Sequence, residues 1–438
     1  MKEGLIAYFK ARPSKQFVAV GVLILVGISL ATYFYKPPTL SSAFFDAQNA
    51  VQGWIDAEPQ VSERSVRYRV RLDKYPRTMR VLVSGDLYPR FEYGDSILFS
   101  CAFKSPDKPK QSYKDRVVSI CFSRGIEKIG SNNGNKIVRT LLTFKRTVRG
   151  HLGRYVREPY LSLLGGFLYG ERSTLPDDFY QALVTTGTIH IIAISGYNIT
   201  LIISFFTTAL IYAGFSRLRV LPIVLIGVIA FVVFVGAQAS VVRAALFGIL
   251  VLVGRQWGRV STPSTLLVAA ALVMAAQNPF ILLYDVGFQL SFLATIGLVY
   301  VAPYFSKVFS FVPAVLGLRE SCAQTVSATV VTLPMIVFVF GRFSTISIIA
   351  NVAILWMVPL IMTIGFVLLF FSFVLWPVAD FLGWFIEYVL YFFMRILFMF
   401  SHIPYASFSL TFGIPLLIVS YIFIFTFIWY AYAQEKNN

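Results

Sequence analysis

Long apolar stretches separated by short polar breaks dominate the chain, and the lengths of those stretches predict its architecture. Apolar runs cover residues 17–35, 189–214, 220–238, 240–254, 264–281, 285–304, 322–340, 345–373, 379–400 and 410–433. Most are long enough, as helices, to cross a hydrocarbon core of about 30 Å. The pattern predicts a polytopic α-helical membrane protein with about 10 transmembrane helices, the 240–254 run being the shortest.

A different period fills residues 37–136. In "SVRYRVRL" the residues Val66, Tyr68, Val70 and Leu72 fall on one face at period two, and "RVLVSG" and "SILFSCAF" alternate in the same way. Half-buried strands read like this. Gly, Asp and Pro in "SGDLYP" and "FEYGDS" supply tight turns, so a small antiparallel β barrel or sandwich is expected.

Helical spacing returns at residues 137–157, where Ile137, Leu141, Phe144, Val148, Leu152 and Tyr155 form an apolar stripe. Arg139, Lys145, Arg146, Arg149, Arg154 and Arg157 cover the rest, giving a basic amphipathic helix. Such a helix suits either lipid headgroups or a polyanion collected at the mouth of a bundle. The next stretch is apolar but broken by Gly165, Gly166, Gly170 and Pro176, which predicts an interfacial or re-entrant hairpin. Four segments result: an N-terminus and anchor (1–36), a β domain (37–136), interfacial helices (137–188) and a transmembrane bundle (189–438).

Composition removes the soluble alternatives. Of 438 residues, 57% are hydrophobic and 13% charged, and the mean hydropathy is +0.71. Formal charge is concentrated in residues 1–157, at +15, against +2 for the remainder. The short-loop cations Lys2, Lys10, Arg12, Lys15, Arg217, Arg219, Arg255, Arg259, Lys307, Arg319 and Lys436 fall on one side of an alternating topology, and only Arg342 falls on the other. By the positive-inside rule both termini are cytoplasmic, residues 37–188 lie outside, and the protein is multi-pass in the inner (cytoplasmic) membrane. No small-residue cleavage site follows "ATYFYKPP", so the first run reads as an uncleaved anchor. Cys101 and Cys121 share the exported segment and an oxidising compartment, which favours a disulfide, whereas Cys322 reads as a packing residue in a span.

Polar residues interrupt the apolar bundle at three places. In "IHIIAISGYNIT" a span opens with His190, Ser195, Gly196 and Asn198 in or near its first turns. Either the helix is broken there and lines a cavity with amide donors suited to an anion, or the small residues permit close helix packing while His190 caps at the interface. "GAQASVVRAALFG" carries Gln238, Ser240 and Arg243. In "NPFILLYDVGFQLSF", Asp285 is placed to N-cap the next helix, and Gln289 and Ser291 lie one turn further in.

Three blocks, "LGGFLYGERSTLPDDFYQALVTTGTIHIIAISGYNITLI", "ASVVRAALFGIL" and "NPFILLYDVGFQLSFLATIGL", resemble in order and spacing those of the ComEC-type competence proteins. The resemblance spans roughly residues 40–400. It implies an OB-like outer domain, a competence-type bundle and single-stranded DNA as cargo during natural transformation. Asn198 stands where the family commonly has a second histidine, and Glu171 stands where an aspartate is usual before Arg172. The resemblance is to the form lacking the C-terminal metallo-β-lactamase-like nuclease domain, because the sequence closes after its last apolar run and holds only His151, His190 and His402.

The expected mechanism is passive conduction of a polyanion, without catalytic residues, metal or cofactor. Basic residues of the outer segments collect the strand, aromatic residues such as Tyr68, Phe91 or Tyr93 stack bases, and polar groups in the bundle shield phosphates. The sequence has no Gly-x-x-x-x-Gly-Lys phosphate loop, so a pulling ATPase or helicase, a DNA receptor and a nuclease are expected to be separate proteins, with membrane lipid as the surrounding partner. Two other classes compete with this reading. A secondary transporter of a small anionic or lipid substrate accounts for a broken helix and Arg243 but not for the basic outer segments. An intramembrane hydrolase would pair Ser195 with His190, yet residues five apart on a helix point in different directions.

Overall fold

The computed structural model describes residues 2–36, 50–62, 65–73, 79–106, 108–123, 125–171, 175–192, 196–236, 239–256, 262–312 and 318–437. Helix α1 (Lys2–Phe34) leads into strands β1 (Ala50–Ile55), β2 (Gln60–Val61), β3 (Val66–Leu72), β4 (Arg80–Gly85) and β5 (Ser96–Ser100). The short helix α2 (Pro109–Tyr113) precedes β6 (Val117–Phe122), β7 (Ile126–Gly130) and the basic helix α3 (Lys136–Leu152). Then come α4 (Tyr160–Tyr169), α5 (Asp177–Thr185), α6 (Ile189–Ile192), α7 (Gly196–Tyr212), α8 (Arg217–Phe234), α9 (Ala239–Gln256), α10 (Pro263–Gln277) and α11 (Ile281–Tyr284). Helix α12 (Val286–Ile296) runs through a π turn (Gly297–Val301) into α13 (Ala302–Val308), followed by α14 (Leu318–Phe340) and β8 (Arg342–Ser344). The chain ends with α15 (Ser347–Leu355), α16 (Met357–Val374), α17 (Trp376–Ser401), β9 (Ser407–Ser409) and α18 (Ile414–Asn437).

Among the described residues, the ten apolar runs fall largely on helix. Among the described residues, five helical stretches are long and apolar enough to cross a membrane: Gln16–Phe34, Val286–Phe311, Arg319–Phe340, Ser347–Val374 and Trp376–Ser401. Further apolar helices, such as Leu218–Phe234 and Pro263–Gln277, are shorter. The protein is therefore a membrane protein of mostly helical build with a small β region.

The residues form two compact units, one of Met1–Gly150 with Ile202–Asp285, the other of His151–Leu201 with Val286–Asn438. In the first, the β region is one curled sheet in the order β6-β4-β3-β1-β5-β7, with β2 added beside β3. The alternation read from the sequence is the burial pattern: Val66, Tyr68, Val70 and Leu72 point inward with Ile55, Val81, Val83, Ile97 and Phe99. The antiparallel expectation meets one exception, since β4 and β6 are parallel. The chain leaves β5, passes through α2 and re-enters beside β4, which puts β6 in the same direction. Lys104, beyond β5, bridges to Ile120 of β6 and bends the sheet towards closure. Cys101 and Cys121 are joined by a disulfide across 20 residues. Gly53 is a glycine because a Cβ there would sit 2.5 Å from the Arg71 carbonyl oxygen.

In the second unit, α4 ends on Gly170 with φ +74°, the left-handed turn that glycine makes without steric cost. Helix α5 is capped by Pro176 and has Asp177 and Asp178 in its first turn, where carboxylates suit the positive end of the helix dipole. Pro303 lies just beyond the π turn, and a proline cannot donate the hydrogen bond that a regular helix requires there. Strands β8 and β9 pair antiparallel, so the ends of α14 and α17 share one side of the unit. Two long apolar stretches, Ser347–Val374 and Trp376–Ser401, separate those strands in sequence, so the chain runs away from the ribbon and returns to it.

Candidate functional site

Strand β3 divides its side chains between two environments. Its even-numbered positions build the core, and Arg67, Arg69 and Arg71 stand on the opposite face. Registration adds neighbours to that face, because Trp54 of β1 lies opposite Arg71, and Arg80 of β4 also lies opposite Arg71. Four guanidinium groups and an indole thus share one surface of the sheet.

A single carboxylate gathers three of the four arginines. Asp56, whose side chain is 2% exposed, accepts from Arg69 Nε at 2.8 Å, pairs with Arg80 Nε, and lies 3.8 Å from Arg71. Burial pushes the Arg80 guanidinium down from its ordinary value; Asp56 pulls it back up, and the charges of Arg69 and Arg71 push it further down. Arg71 also places its guanidinium carbon 5.0 Å from the Trp54 ring centre. Trp54 in turn meets Tyr93 edge-on, with centroids 6.2 Å apart. One negative charge holds three positive ones, and the face keeps an excess of cations beside a flat aromatic.

This arrangement corrects the assignment of Tyr68 and Phe91. Tyr68 and Phe91 are core residues, and the Phe91 N–H donates to the Tyr68 hydroxyl at 3.4 Å. The buried phenol is raised above the usual tyrosine range, chiefly by desolvation. Neither ring is available for stacking, and Tyr93 is half-buried with its hydroxyl accepting from the Asn135 N–H at 3.0 Å. Trp54, half-buried like Tyr93, is the ring that lies beside Arg71 on the arginine face. Its phase in β1, opposite to that of Val51, Gly53 and Ile55, was the signal that could have identified it.

The basic helix α3 uses part of its charge internally. Lys145 is buried and bonded to Glu58 at 2.8 Å, and Arg146 pairs with Glu92. Arg139 donates to Asn132 at 2.6 Å and to the Asn133 carbonyl at 2.5 Å. These contacts fasten α3 to the β region, and Phe144 meets Phe234 at the end of α8 with centroids 5.9 Å apart. Arg149 is half-buried, while Arg154 and Arg157 are exposed in the turn that follows. The backbone N–H of Arg157 donates to Glu387 at 2.5 Å.

Of the bundle residues singled out by the sequence, Arg172, Ser195 and Gln238 lie outside the described residues. Asn198 is buried in α7, and Gly196 opens that helix. The ring Nδ1 of His190 donates to the Gly187 carbonyl at 3.1 Å. Ser240 and Arg243 are half-buried on α9, and Gln289 and Ser291 are half-buried on α12, where Ser291 O accepts from Thr295. Glu171 follows the α4 cap. Asp285 receives the Lys114 ammonium at 2.9 Å. Among the described residues, no three His, Cys, Asp or Glu side chains gather as a metal centre would.

Comparison with known proteins decides the family. The family model described as Competence protein matches residues 167–435. The chain belongs to the Competence protein family. This stretch contains Glu171, His190, Asn198, Arg243, Asp285 and Gln289, and the β region precedes it. ComE operon protein 3 of Bacillus subtilis (strain 168) is 28% identical over 184 residues, which are 42% of this chain and 23% of that relative. The chain thus covers well under two thirds of that relative's length. No solved structure matches the chain.

Proposed function

We propose that this protein conducts single-stranded DNA through the cell membrane into the cytoplasm during natural transformation, as a passage and not as an enzyme. The arginine face of the β region carries this reading. Arg67, Arg69, Arg71 and Arg80 offer a row of phosphate partners with Trp54 alongside, the combination of backbone cation and stacking surface that binds single strands without sequence preference. Family membership supplies the competence context. The curled sheet, with its parallel β4–β6 pair and a helix between β5 and β6, supports an OB-like reading of the β domain. In this reading the domain lies outside, receives the strand from a separate receptor and nuclease, and a separate cytoplasmic ATPase or helicase draws it through. Asn198, Arg243, Gln289 and Ser291, with His190, Ser195, Gly196, Gln238, Ser240, Glu171, Arg172 and Asp285, are the proposed residues of the path.

The test uses the full-length protein in lipid nanodiscs and a fluorescent oligodeoxynucleotide. Binding should favour the single strand over the duplex and weaken with salt. Replacing Arg67, Arg69 and Arg71 together by Gln should lower the log–log salt slope by about two, at about 0.7 per phosphate contact. An unchanged slope removes the sheet face from the proposal.

A further inference from the structure

The β8–β9 ribbon of the second unit carries an exposed aromatic pair. Tyr405 is 77% exposed, and its ring lies nearly parallel to that of Phe408, at 17° with centroids 5.9 Å apart. Phe408 sits opposite Phe343 in the ribbon, and Arg342 sits opposite Ser409. Tyr405 has φ +60°, a left-handed conformation that a bulky side chain rarely adopts. The surrounding backbone enforces it. Thr345 Oγ1 donates to the Tyr405 carbonyl at 2.8 Å, the Thr345 N–H donates to the Ala406 carbonyl at 3.1 Å, and the Leu410 N–H donates to the Gly341 carbonyl at 3.0 Å.

We propose that Tyr405 and Phe408 form a second stacking platform, on which bases of single-stranded DNA rest as the strand meets the helical bundle. The inference rests on the DNA-conducting reading and adds a site to it. Charge favours this partner: the sequence has no Asp or Glu between Glu320 and Asp380 or between Glu387 and Glu435, so Arg342 marks the ribbon as positive. Geometry favours it as well. A tyrosine that only anchors in headgroups works from many backbone conformations, whereas two parallel rings held by an unfavourable φ are preorganised for a third ring. Under the positive-inside topology the ribbon lies on the outer side, where the strand arrives.

A photo-crosslinking benzoylphenylalanine placed singly at 405, at 54 and at 388 in the full-length protein in membranes provides the test, with end-labelled single-stranded DNA as probe. Position 388 is exposed in the middle of α17 and serves as the lipid-facing control. DNA adducts are expected at 405 and 54 and not at 388. Adducts at 54 alone overturn the platform and leave the DNA reading standing; adducts at neither position overturn both. Lipid adducts at 405 in place of DNA make the pair an interfacial anchor. A second measurement separates stacking from folding: Tyr405→Gly relieves the backbone and should not lower thermal stability, yet it should weaken oligonucleotide binding about tenfold, the order of one lost stacked base. Tyr405→Phe should retain binding. Unchanged binding by Tyr405→Gly overturns the proposal.

Discussion

Lys114 and Asp285, 171 residues apart, form an ion pair at 2.9 Å. Asn278 Nδ2 donates to the backbone carbonyl of the same lysine at 2.6 Å. Around them Tyr113 stacks on Tyr35 at 6.0 Å and meets Phe280 edge-on at 4.9 Å. Helix α2 is thereby fastened to the end of α1 and to the α10–α11 connection. The first prediction follows. Lys114→Ala and Asp285→Ala should each lower thermal stability, with a coupling of about 1 kcal/mol in a double-mutant cycle. The exchanged pair Lys114→Asp with Asp285→Lys should restore transformation if Asp285 acts through Lys114. Failure of the exchange at restored stability would assign Asp285 to the path itself.

Asp56→Asn leaves three neighbouring guanidinium groups without their carboxylate. The expected cost is about 3 kcal/mol, the scale for breaking a buried pair. The same change removes a negative charge from the proposed DNA face, so the salt dependence of oligonucleotide binding should steepen. Thermal unfolding and a salt titration on one preparation check both signs, and a stabilised protein would show that Asp56 is not the hub of the face.

The disulfide closes a loop of 20 residues. In the chain-entropy model its loss costs about 3 kcal/mol. Cys101→Ser with Cys121→Ser should therefore make the β region the first part to yield to protease, while Cys322→Ser leaves the pattern unchanged. Protease mapping of membrane-embedded protein distinguishes these outcomes.

Gly297 lets the π turn approach α14. A Cβ there would lie 2.6 Å from the Ser327 carbonyl oxygen and 3.2 Å from the Ala328 Cα. Because the obstacle is backbone, Gly297→Ala should destabilise the bundle by about 2 kcal/mol, in the range of overpacking, and Gly297→Leu by more. Gly27 has no atom within 4 Å of such a Cβ. Gly27→Ala should be neutral, and thermal melting of the detergent-solubilised variants compares the two positions.

Arg243 is half-buried on α9. Arg243→Gln should reduce transformation at least tenfold at equal expression, and Arg243→Lys should retain part of the activity, since charge matters more than fork geometry to a passing phosphate. Gly196→Leu should share the defect and Gly196→Ala should be milder. Normal transformation by a well-expressed Arg243→Gln protein would take this residue out of the path.

Period and composition alone determined much of this protein. A twenty-residue apolar run has few alternatives to a helix in a membrane, and a period of two on β3 has few alternatives to a half-buried strand, so the helices, the β region and the core set of Val66, Tyr68, Val70 and Leu72 could be read directly. The cysteine pair was legible for a related reason, since both fall in the same β-rich segment. Long, specific blocks made the family legible too.

Tertiary structure decided which of two equivalent chemical options each side chain takes. The period of β3 put Tyr68 on the core face, but only the pairing of β1 with β3 set the half-buried Trp54 beside Arg71 on the opposite face. A row of arginines announces positive charge but not its partners: Asp56 converges on three of them only once β1, β3 and β4 lie side by side. The same holds for α3, where Lys145 and Arg146 read as free collar charges until Glu58 and Glu92 fold against them. The parallel β4–β6 pair, the Lys114–Asp285 fastening and the β8–β9 ribbon all join residues distant in sequence. Local propensity carries no information about such contacts, because their energy exists only after the chain has closed the loops between them.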